Sequence, residues 1–384
     1  MRVALVHDWL TGMRGGEKCL EVFCEMFPEA PVHTLVHRPG SVSRAIESHP
    51  IHTSFLQRAP FGRSHYQRYL PLFPVAIERF DLRGFDLVLS SSHAVAKGVV
   101  VHPGARHVCY CHTPMRYVWT AYEDYFGRGR YHFPMSWVLA GAASWLRTWD
   151  VVTARRVDRF IANSHNVAGR IARYYGREAT VVHPWVDTES FTPDPTVPRE
   201  DFYLIVSALV PYKRIELALE AVRRMGRRLV VIGSGVERRR LEKAGAGCAT
   251  FLGWQDQREL LSALRRAKAL LFPGEEDFGI VPLEAMACGT PVIAYGAGGA
   301  LETVMDGETG LFFPEQSVAA LVAALERRDR LALSPDACRR RALAFSRAVF
   351  LRRMRAELAS VMEGRAESVR ASAAPEGVLR PWVT

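Results

Sequence analysis

Two carboxylates and a glycine-containing loop stand close together in the second half of this 384-residue chain. Glu276 lies in a loop with Gly274 and Gly279, and Glu284 follows inside a helix expected to begin near Pro282. The start of that helix would present backbone N–H groups to phosphate or sugar oxygens. If the loop folds back, both carboxylates could bind sugar and ribose hydroxyls, each through a charge-assisted hydrogen bond of about 1.5–3 kcal/mol. The alternative is a pair of solvated acids that the helix dipole favours.

Two features of the first half are also typical of ligand-binding turns. Gly15 and Gly16 separate the first expected strand from the first helix, where glycine lets the backbone approach a phosphate closely. The full G-x-G-x-x-G pattern is absent there, so the dinucleotide signature is not met. His112 directly follows an expected strand, which places it either at a cleft or in a core or loop.

The sequence contains no Asp-x-Asp pair. Enzymes that hold a nucleotide diphosphate through a divalent cation usually present such a pair. We therefore expect metal-independent chemistry without a cofactor. Seven cysteines occur without a C-x-x-C spacing, which favours reduced thiols over a zinc site.

The elements that must position these residues alternate between short apolar strands and amphipathic helices in both halves of the chain. This alternation predicts parallel sheets covered on both faces, an α/β class. We expect two doubly wound, Rossmann-like domains facing a central cleft, with ligands at the carboxyl ends of the strands. Expected strands cover residues 2–7, 32–36, 87–90, 107–111, 159–162, 179–182, 203–206, 229–232, 250–251, 269–272, 291–294 and 310–312.

The expected domain boundaries follow from composition. Residues 1–183 form an N-terminal domain, and the Pro- and Asp-rich segment 184–200 forms a linker. Residues 201–345 form a C-terminal domain. Residues 346–363 form a helix that crosses back to the N-terminal domain, and residues 364–384 form a mobile tail.

Overall composition excludes several classes of protein. Hydrophobic residues make up 48% and charged residues 23%, which excludes a disordered chain, a collagen-like fibre and a small disulfide scaffold. No apolar stretch reaches the length of a membrane-spanning helix. The N-terminus resembles a strand rather than a signal peptide. We therefore expect a cytoplasmic protein, associated at most peripherally with the inner face of the cytoplasmic membrane.

Positive charge is concentrated in the first half of the chain. The net charge is +10, and residues 1–183 hold 22 Lys and Arg against 14 Asp and Glu, together with all 13 histidines. In the segment Tyr131–Trp149, Trp137, Trp145 and Trp149 recur at multiples of four residues, so we expect them to share one face of a helix, close to basic residues. Such a face suits an anionic membrane surface, and the equal alternative is a helix packed on the core. Base-stacking or groove-reading elements are absent, so we expect no nucleic-acid partner.

Several motifs together resemble glycosyltransferase family 4, a family of retaining enzymes with the GT-B fold. EDFGIVPLEAMACGTPV at 276–292 resembles the family's E-x7-E signature, and VSALVPYKR at 206–214 resembles the start of its second domain. GGALE at 298–302 and DGETGL at 306–311 also fit. In the first half, HDWL at 7–10, GGE at 15–17 and HTPMRY at 112–117 resemble the branch of O-antigen and exopolysaccharide mannosyltransferases.

The resemblance implies that residues 1–183 form the acceptor-side domain and that residues 201–345 form the domain that binds the nucleotide-sugar. It also implies a role for each matching residue. Lys213 would neutralise the donor diphosphate, Glu276 would bind the transferred sugar and Glu284 the ribose. Most family members carry arginine where this chain has Ala208, so the second phosphate cation is unassigned, with Arg214 as the nearest substitute. His112 would lie beside the donor sugar. The backbone would bind the sugar at Phe278 and Gly279, the phosphates at Ile280 and Val281, and the donor at Gly15 and Gly16.

The expected function is therefore retaining, metal-independent transfer of a hexose to a lipid-linked glycan in the assembly of a cell-surface polysaccharide. Mannose is the expected sugar, and GDP-mannose the expected donor, with a UDP-sugar as the alternative. Arg116 and the three tryptophans would lie on the acceptor and membrane side. The remaining alternatives are a sugar-nucleotide epimerase or hydrolase of the same fold, and a non-catalytic binder of sugar nucleotides.

Overall fold

The computed structural model describes residues 1–120, 122 and 135–373. Contacts divide the chain into two compact units. Of the described residues, the first unit contains those within Met1–Ala162, those within Arg170–Val182 and those from Leu351 to Ala373, and the second contains Asn163–Gly169 and His183–Phe350. The expected linker, residues 184–200, belongs to the second unit. The chain returns to the first unit within its last described helix.

The first unit is built around a seven-stranded parallel sheet in the order β3-β2-β1-β4-β5-β6-β7. Its central strands β1 and β4 are buried along their whole length, which explains their continuous apolar and small-residue sequences. The strands are β1 (Val3–His7), β2 (Val32–Thr34), β3 (Ile51–Thr53), β4 (Leu87–Ser92), β5 (Arg106–Cys111), β6 (Arg159–Ala162) and β7 (Ala179–Val181).

The second unit is built around a six-stranded parallel sheet in the order β10-β9-β8-β11-β12-β13. Each face of this sheet contributes to an apolar cluster, one including Leu270 and Leu283 and the other including Leu271 and Leu219. The strands are β8 (Phe202–Val206), β9 (Arg228–Ile232), β10 (Ala249–Gly253), β11 (Ala269–Phe272), β12 (Val292–Tyr295) and β13 (Gly310–Phe313).

Helices connect the strands and cover both sheets. Several begin at side-chain caps, as where Asp256 accepts the Glu259 N–H at 2.9 Å. The helices are α1 (Gly15–Met26), α2 (Arg44–Glu47), α3 (Phe73–Glu78), α4 (Met135–Ala154), α5 (His165–Tyr175), α6 (Ile215–Arg224), α7 (Arg238–Ala244), α8 (Gln257–Arg266), α9 (Ile280–Ala287), α10 (Ala300–Thr303), α11 (Val318–Arg330), α12 (Pro335–Leu343) and α13 (Arg347–Ala373). Short 3-10 turns cover Phe55–Arg58, Tyr66–Leu72, Ala96–Gly98 and Pro211–Lys213.

The α/β class and the two parallel sheets are confirmed, with two differences in detail. Strand β3 was not predicted, because its three residues, Ile-His-Thr, form a partly exposed edge strand without an apolar run. The last helix was expected to end at residue 363, but it continues to Ala373. The rest of the expected mobile tail, residues 374–384, lies outside the described residues. In the described part of the chain, no helix is long and apolar enough to cross a membrane.

Candidate active site

The second sheet reverses its strand order between β8 and β11. At such a point the loops after two adjacent parallel strands run to opposite faces of the sheet. This leaves a crevice at the carboxyl ends of the two strands. The loop after β8 carries Lys213, and the loop after β11 carries Glu276. Two predicted site residues that are 63 positions apart in the chain are therefore brought together at this point.

The ammonium group of Lys213 donates a hydrogen bond to the Glu276 carboxylate. The two side chains are 13% and 23% exposed, so both are partly shielded yet accessible. An adjacent cation and carboxylate offer partners for a phosphate oxygen and a sugar hydroxyl, respectively. They line one small cavity, whose other walls are Ile205, Val206, Ser207, Ile215, Leu271, Phe272, Pro273 and Gly274.

Two glycines allow the loop that carries Glu276 to approach its neighbours. A Cβ at Gly274 would lie 2.9 Å from the Cα of Lys213, so a larger residue would push the two loops apart. A Cβ at Gly299 would lie 2.2 Å from the Cα of Phe278. The Gly299 N–H donates to the Glu276 carbonyl at 2.9 Å. The backbone on both sides of the Glu276 side chain is thus held by close packing.

The backbone predicted to bind phosphate forms the start of α9. Gly279 precedes this helix with φ +82°, a left-handed conformation that favours glycine. Ile280 and Val281 are its first two residues, so their N–H groups have no partner within the helix. Phe278 is buried and stacks on His183, with ring centroids 5.5 Å apart. Glu284 lies inside α9 with a buried side chain, and it is not among the described residues that line the Lys213 cavity.

Arg214 adopts a left-handed conformation, with φ +54°, immediately before α6. Its guanidinium lies 3.6 Å from the Glu216 carboxylate and is 45% exposed. The residue therefore reaches towards the first turn of α6. The second phosphate cation, which the family usually supplies at the position of Ala208, stays unassigned.

The first sheet reverses its strand order between β1 and β4, and the remaining predicted site residues follow β1 and β5. Gly15 and Gly16 begin α1, and a Cβ at Gly16 would lie 3.4 Å from His7 Cε1 and 3.6 Å from His112 Nε2. Ser91 Oγ and His112 Nε2 are 2.9 Å apart. Burial, together with the neighbouring imidazoles His93 and His7, lowers the pKa of His112 to about 3. The ring is therefore neutral near pH 7 and suited to orientation rather than acid catalysis.

Four ionisable residues beside His112 were not predicted as site residues, although His7, Asp8 and Glu17 lie within the motifs HDWL and GGE. His7 ends β1, Asp8 follows it, Glu17 lies in the first turn of α1 and His93 follows β4. Asp8 accepts four backbone N–H groups, from residues 93 to 96, at 2.6–3.0 Å. Two signals were available: the motifs HDWL and GGE contain His7, Asp8 and Glu17, and His93 directly follows the central strand β4.

A second cluster missed in the sequence joins His165, His183 and Glu302, whose ligating atoms lie within 4.8 Å of one another. Such a set could hold a divalent metal ion. However, the Glu302 carboxylate already accepts the N–H groups of His165 and Asn166, at 2.8 and 3.0 Å. It also lies 2.8 Å from His183 Nε2. Glu302 therefore caps the first N–H groups of helix α5, and this capping role explains why the three residues lie together.

Two family models match consecutive segments of the chain. A model described as Glycosyltransferase Family 4 matches residues 13–190, and one described as Glycosyl transferases group 1 matches residues 187–340. The chain carries two glycosyltransferase domains. The family 4 domain contains the Gly15, Gly16 and His112 region, and the group 1 domain contains the pair of Lys213 and Glu276.

Solved structures match the fold of both glycosyltransferase domains. Sucrose-phosphate synthase from Thermosynechococcus elongatus aligns with a TM-score of 0.72 and 18% identity, covering 95% of this chain and all of that one. Anabaena HepE in complex with UDP aligns with a TM-score of 0.68 and 17% identity over 94% of this chain and all of that one. At this identity the similarity establishes the fold, which is GT-B.

Curated relatives are more similar in sequence but match only part of the chain. A D-inositol 3-phosphate glycosyltransferase from Geodermatophilus obscurus is 38% identical over 225 residues, which is 49% of each chain. The enzyme of the same name from Streptomyces bingchenggensis is 33% identical over 208 residues, 44% of this chain and 45% of its own. The chain thus covers about half the length of these relatives.

The three predicted tryptophans lie on helix α4 of the family 4 domain, but they differ in exposure. Trp137 and Trp145 are 74% and 46% exposed. Trp149 instead packs against the core and donates its indole N–H to Glu78 at 3.0 Å. The prediction that all three share one face is wrong. Four residues turn a helix by about 400°, which is about 40° more than one full turn. Trp137 and Trp149 are three such steps apart, so their side chains point in directions that differ by about 120°. Arg116 is half-buried in the turn after β5, and residues 131–134 lie outside the described residues.

Proposed function

We propose that this chain transfers a hexosyl group from a nucleoside diphosphate sugar to a hydroxyl acceptor, with retention of configuration and without a divalent cation. The observation that carries the proposal is the pairing of Lys213 with Glu276 at the switch point of the group 1 domain. Two charged residues from different loops converge there beside the start of α9. This combination suits an anionic leaving group attached to a polyhydroxylated ring.

In the proposed reaction, the bond between the sugar and the diphosphate breaks while negative charge develops on the leaving phosphate. Lys213 stabilises that charge, and a preorganised cation in a partly desolvated site is effective at this task. Backbone N–H groups of Ile280 and Val281 at the α9 N-terminus add to the same stabilisation. Glu276 accepts hydrogen bonds from sugar hydroxyls and holds the ring in position. The acceptor oxygen bonds to the anomeric carbon on the face that the diphosphate leaves, and the leaving phosphate receives the proton of the acceptor hydroxyl.

For the donor, we propose a nucleoside diphosphate hexose, with GDP-mannose first and UDP-glucose second. The motifs HDWL and HTPMRY favour mannose by resemblance to the mannosyltransferase branch. The uridine alternative is supported by Anabaena HepE, a protein of the same fold whose crystal structure is a complex with UDP. The proposed roles of Lys213 and Glu276 do not depend on the base.

Two acceptor classes are supported by different observations. A lipid-linked glycan is favoured by the exposed Trp137 and Trp145 on α4 and by the basic first half of the chain. An inositol phosphate is favoured by the names of the curated relatives. We propose the lipid-linked glycan first, acting at an anionic membrane surface, because its supporting observations belong to this chain.

The test is a matrix of donors and acceptors with purified full-length protein in EDTA. GDP-mannose and UDP-glucose are each combined with an undecaprenyl diphosphate-linked saccharide or with D-inositol 3-phosphate, and release of nucleoside diphosphate is measured together with the mass of the product. Acceptor-dependent release with a product heavier by one hexose supports the proposal, and NMR of the anomeric proton then tests retention.

The outcomes separate the alternatives. Donor turnover without any acceptor product would favour a hydrolase or epimerase. Donor binding, seen as a rise in melting temperature without turnover in any combination, would favour a non-catalytic binder. Loss of transfer in EDTA that magnesium restores would refute the metal-independent mechanism.

A further inference from the structure

The switch point of the first sheet gathers three imidazoles and two carboxylates. His7 ends β1 and Asp8 follows it, His93 follows β4, His112 follows β5, and Glu17 lies in the first turn of α1. The His93 ring centroid is 5.7 Å from that of His7 and 6.3 Å from that of His112. Loops diverge at this point of the sheet and leave a crevice in which ligands bind.

Within this cluster, His7 and Asp8 are completely buried, whereas the His93 side chain is 24% exposed. Neither ring nitrogen of His7 has a hydrogen-bond partner among the described residues, and its Nε2 lies 3.7 Å from Glu17. His93 and the partly buried His112 are therefore the members of this cluster that reach solvent.

The His93 ring is held from two sides. Its Nδ1 lies 3.1 Å from Asp8 Oδ2. Trp9 packs against the ring edge to face, with centroids 4.4 Å apart. Asp8 also binds the backbone N–H groups of residues 93–96, so ring and loop are fixed by the same carboxylate. A ring anchored in this way is preorganised for contact with a ligand.

The Asp8 carboxylate also determines which nitrogen carries the proton. Burial by itself raises the pKa of Asp8, but His93, His7 and the backbone N–H groups more than compensate and lower it, so Asp8 stays ionised. Burial lowers the pKa of His93 despite Asp8, so its ring is neutral near pH 7. A carboxylate beside Nδ1 selects the Nδ1–H tautomer. The opposite nitrogen, Nε2, is then a hydrogen-bond acceptor.

We propose that His93 is a specificity residue of the first unit. Its Nε2 accepts a hydrogen bond from a hydroxyl of the sugar or cyclitol acceptor, and Asp8 is its positioning residue. The inference deepens the proposed function and rests on it. It concerns the substrate that receives the hexose, whereas Lys213 and Glu276 serve the donor. The acceptor substrate is a second ligand that carries hydroxyl groups. Each hydroxyl that becomes buried needs a hydrogen-bond acceptor from the protein, because a buried hydroxyl without a partner is disfavoured.

Kinetics of three variants test the role of His93 with the acceptor that is turned over in the matrix above. His93→Leu removes the hydrogen-bond acceptor, His93→Gln retains one, and His102→Gln is a matched control at an exposed histidine. We expect His93→Leu to raise the acceptor KM by about five- to tenfold, the equivalent of one hydrogen bond. His93→Gln should recover part of this loss, while the donor KM and acceptor-independent donor hydrolysis stay unchanged.

A spectroscopic measurement tests the positioning role independently of turnover. In full-length protein labelled with 15N-histidine, His93 should show the Nδ1–H tautomer at pH 7, and Asp8→Asn should shift it towards a mixture. If Asp8→Asn does not fold, the wild-type tautomer alone decides the point, because the Nε2–H tautomer would overturn the proposal.

The kinetic outcomes are also decisive. An unchanged acceptor KM in a folded His93→Leu protein would overturn the inference, as would equal losses in transfer and in donor hydrolysis, which would assign His93 to the donor. Absence of transfer with every donor and acceptor would instead be a failure of the proposed function.

Discussion

Replacement of Glu276 is the sharpest test of the proposed active site. Glu276→Ala removes the carboxylate that lies beside Lys213 and is expected to bind the transferred sugar. One charge-assisted hydrogen bond contributes about 1.5–3 kcal/mol. This is a factor of about 10 to 150 in rate, if the bond is made fully only in the transition state. Loss of the partner also lets the Lys213 ammonium leave its position, so we expect transfer to fall by about 100-fold or more.

The same substitution should leave the fold intact. Lys213 and Glu276 are 13% and 23% exposed, and a partly solvated ion pair contributes at most about 1 kcal/mol to the free energy of unfolding. Glu276→Gln keeps the shape and removes the charge, so it should lose less activity than the alanine variant. In a double-mutant cycle with Lys213→Met, the two losses should be less than additive, because both residues act on one transition state.

The assay is steady-state release of nucleoside diphosphate with both substrates varied, together with a melting temperature for each variant. Glu275→Gln is the matched control, since Glu275 precedes Glu276 in the same loop and is exposed. Near-normal turnover of Glu276→Ala would remove this residue from the site. Equal losses in the Glu275 and Glu276 variants would show that the loop, rather than the specific carboxylate, matters.

Three further predictions concern the first unit. Burial lowers the pKa of His107 from 6.5 to about 4, so the unfolded chain binds this proton more tightly than the folded protein does. The contribution of His107 to the free energy of unfolding should therefore fall by up to about 3 kcal/mol as the pH drops from 6.5 to 4. Urea titrations at several pH values measure this change. Lys97 and Asp150 form a fully buried pair at 2.9 Å, so Lys97→Met should leave an uncompensated carboxylate and cost about 3–5 kcal/mol, measured by chemical denaturation. Replacing both Trp137 and Trp145 with serine should weaken binding to anionic vesicles at least about fivefold in a sedimentation assay, because two exposed apolar side chains are removed.

Each of these predictions has a control. For the pH dependence, His107→Gln should reduce the loss of stability between pH 6.5 and 4, although His33 and His112 still contribute to it, and an unaltered profile would contradict the argument. For the buried pair, Asp81→Asn breaks an exposed pair with Arg83 and should change the free energy of unfolding far less than Lys97→Met does. An equal effect of both substitutions would refute the role of burial. For vesicle binding, an unchanged affinity would confine α4 to a structural role.

Most of the secondary structure was predictable because central strands of parallel sheets are apolar along their length. Strands such as Val3–His7 and Ala269–Phe272 are buried on both faces, so their sequences are continuous apolar runs, apart from His7 at the end of the first. The edge strand Ile51–Thr53 lacks that constraint and was missed. The site was predictable in part, since Glu276 and Lys213 are in motifs that resemble a known family.

The sequence by itself determined the α/β class, the two halves and the residues in the loops after each strand. The order of strands within a sheet was decided only by the tertiary structure, because long-range strand pairing depends on how helices pack on both faces of the sheet. That order reverses between β1 and β4 and between β8 and β11, and so creates the two crevices. Only this arrangement joins Lys213 to Glu276 and anchors His93 on Asp8, which is 85 residues away along the chain.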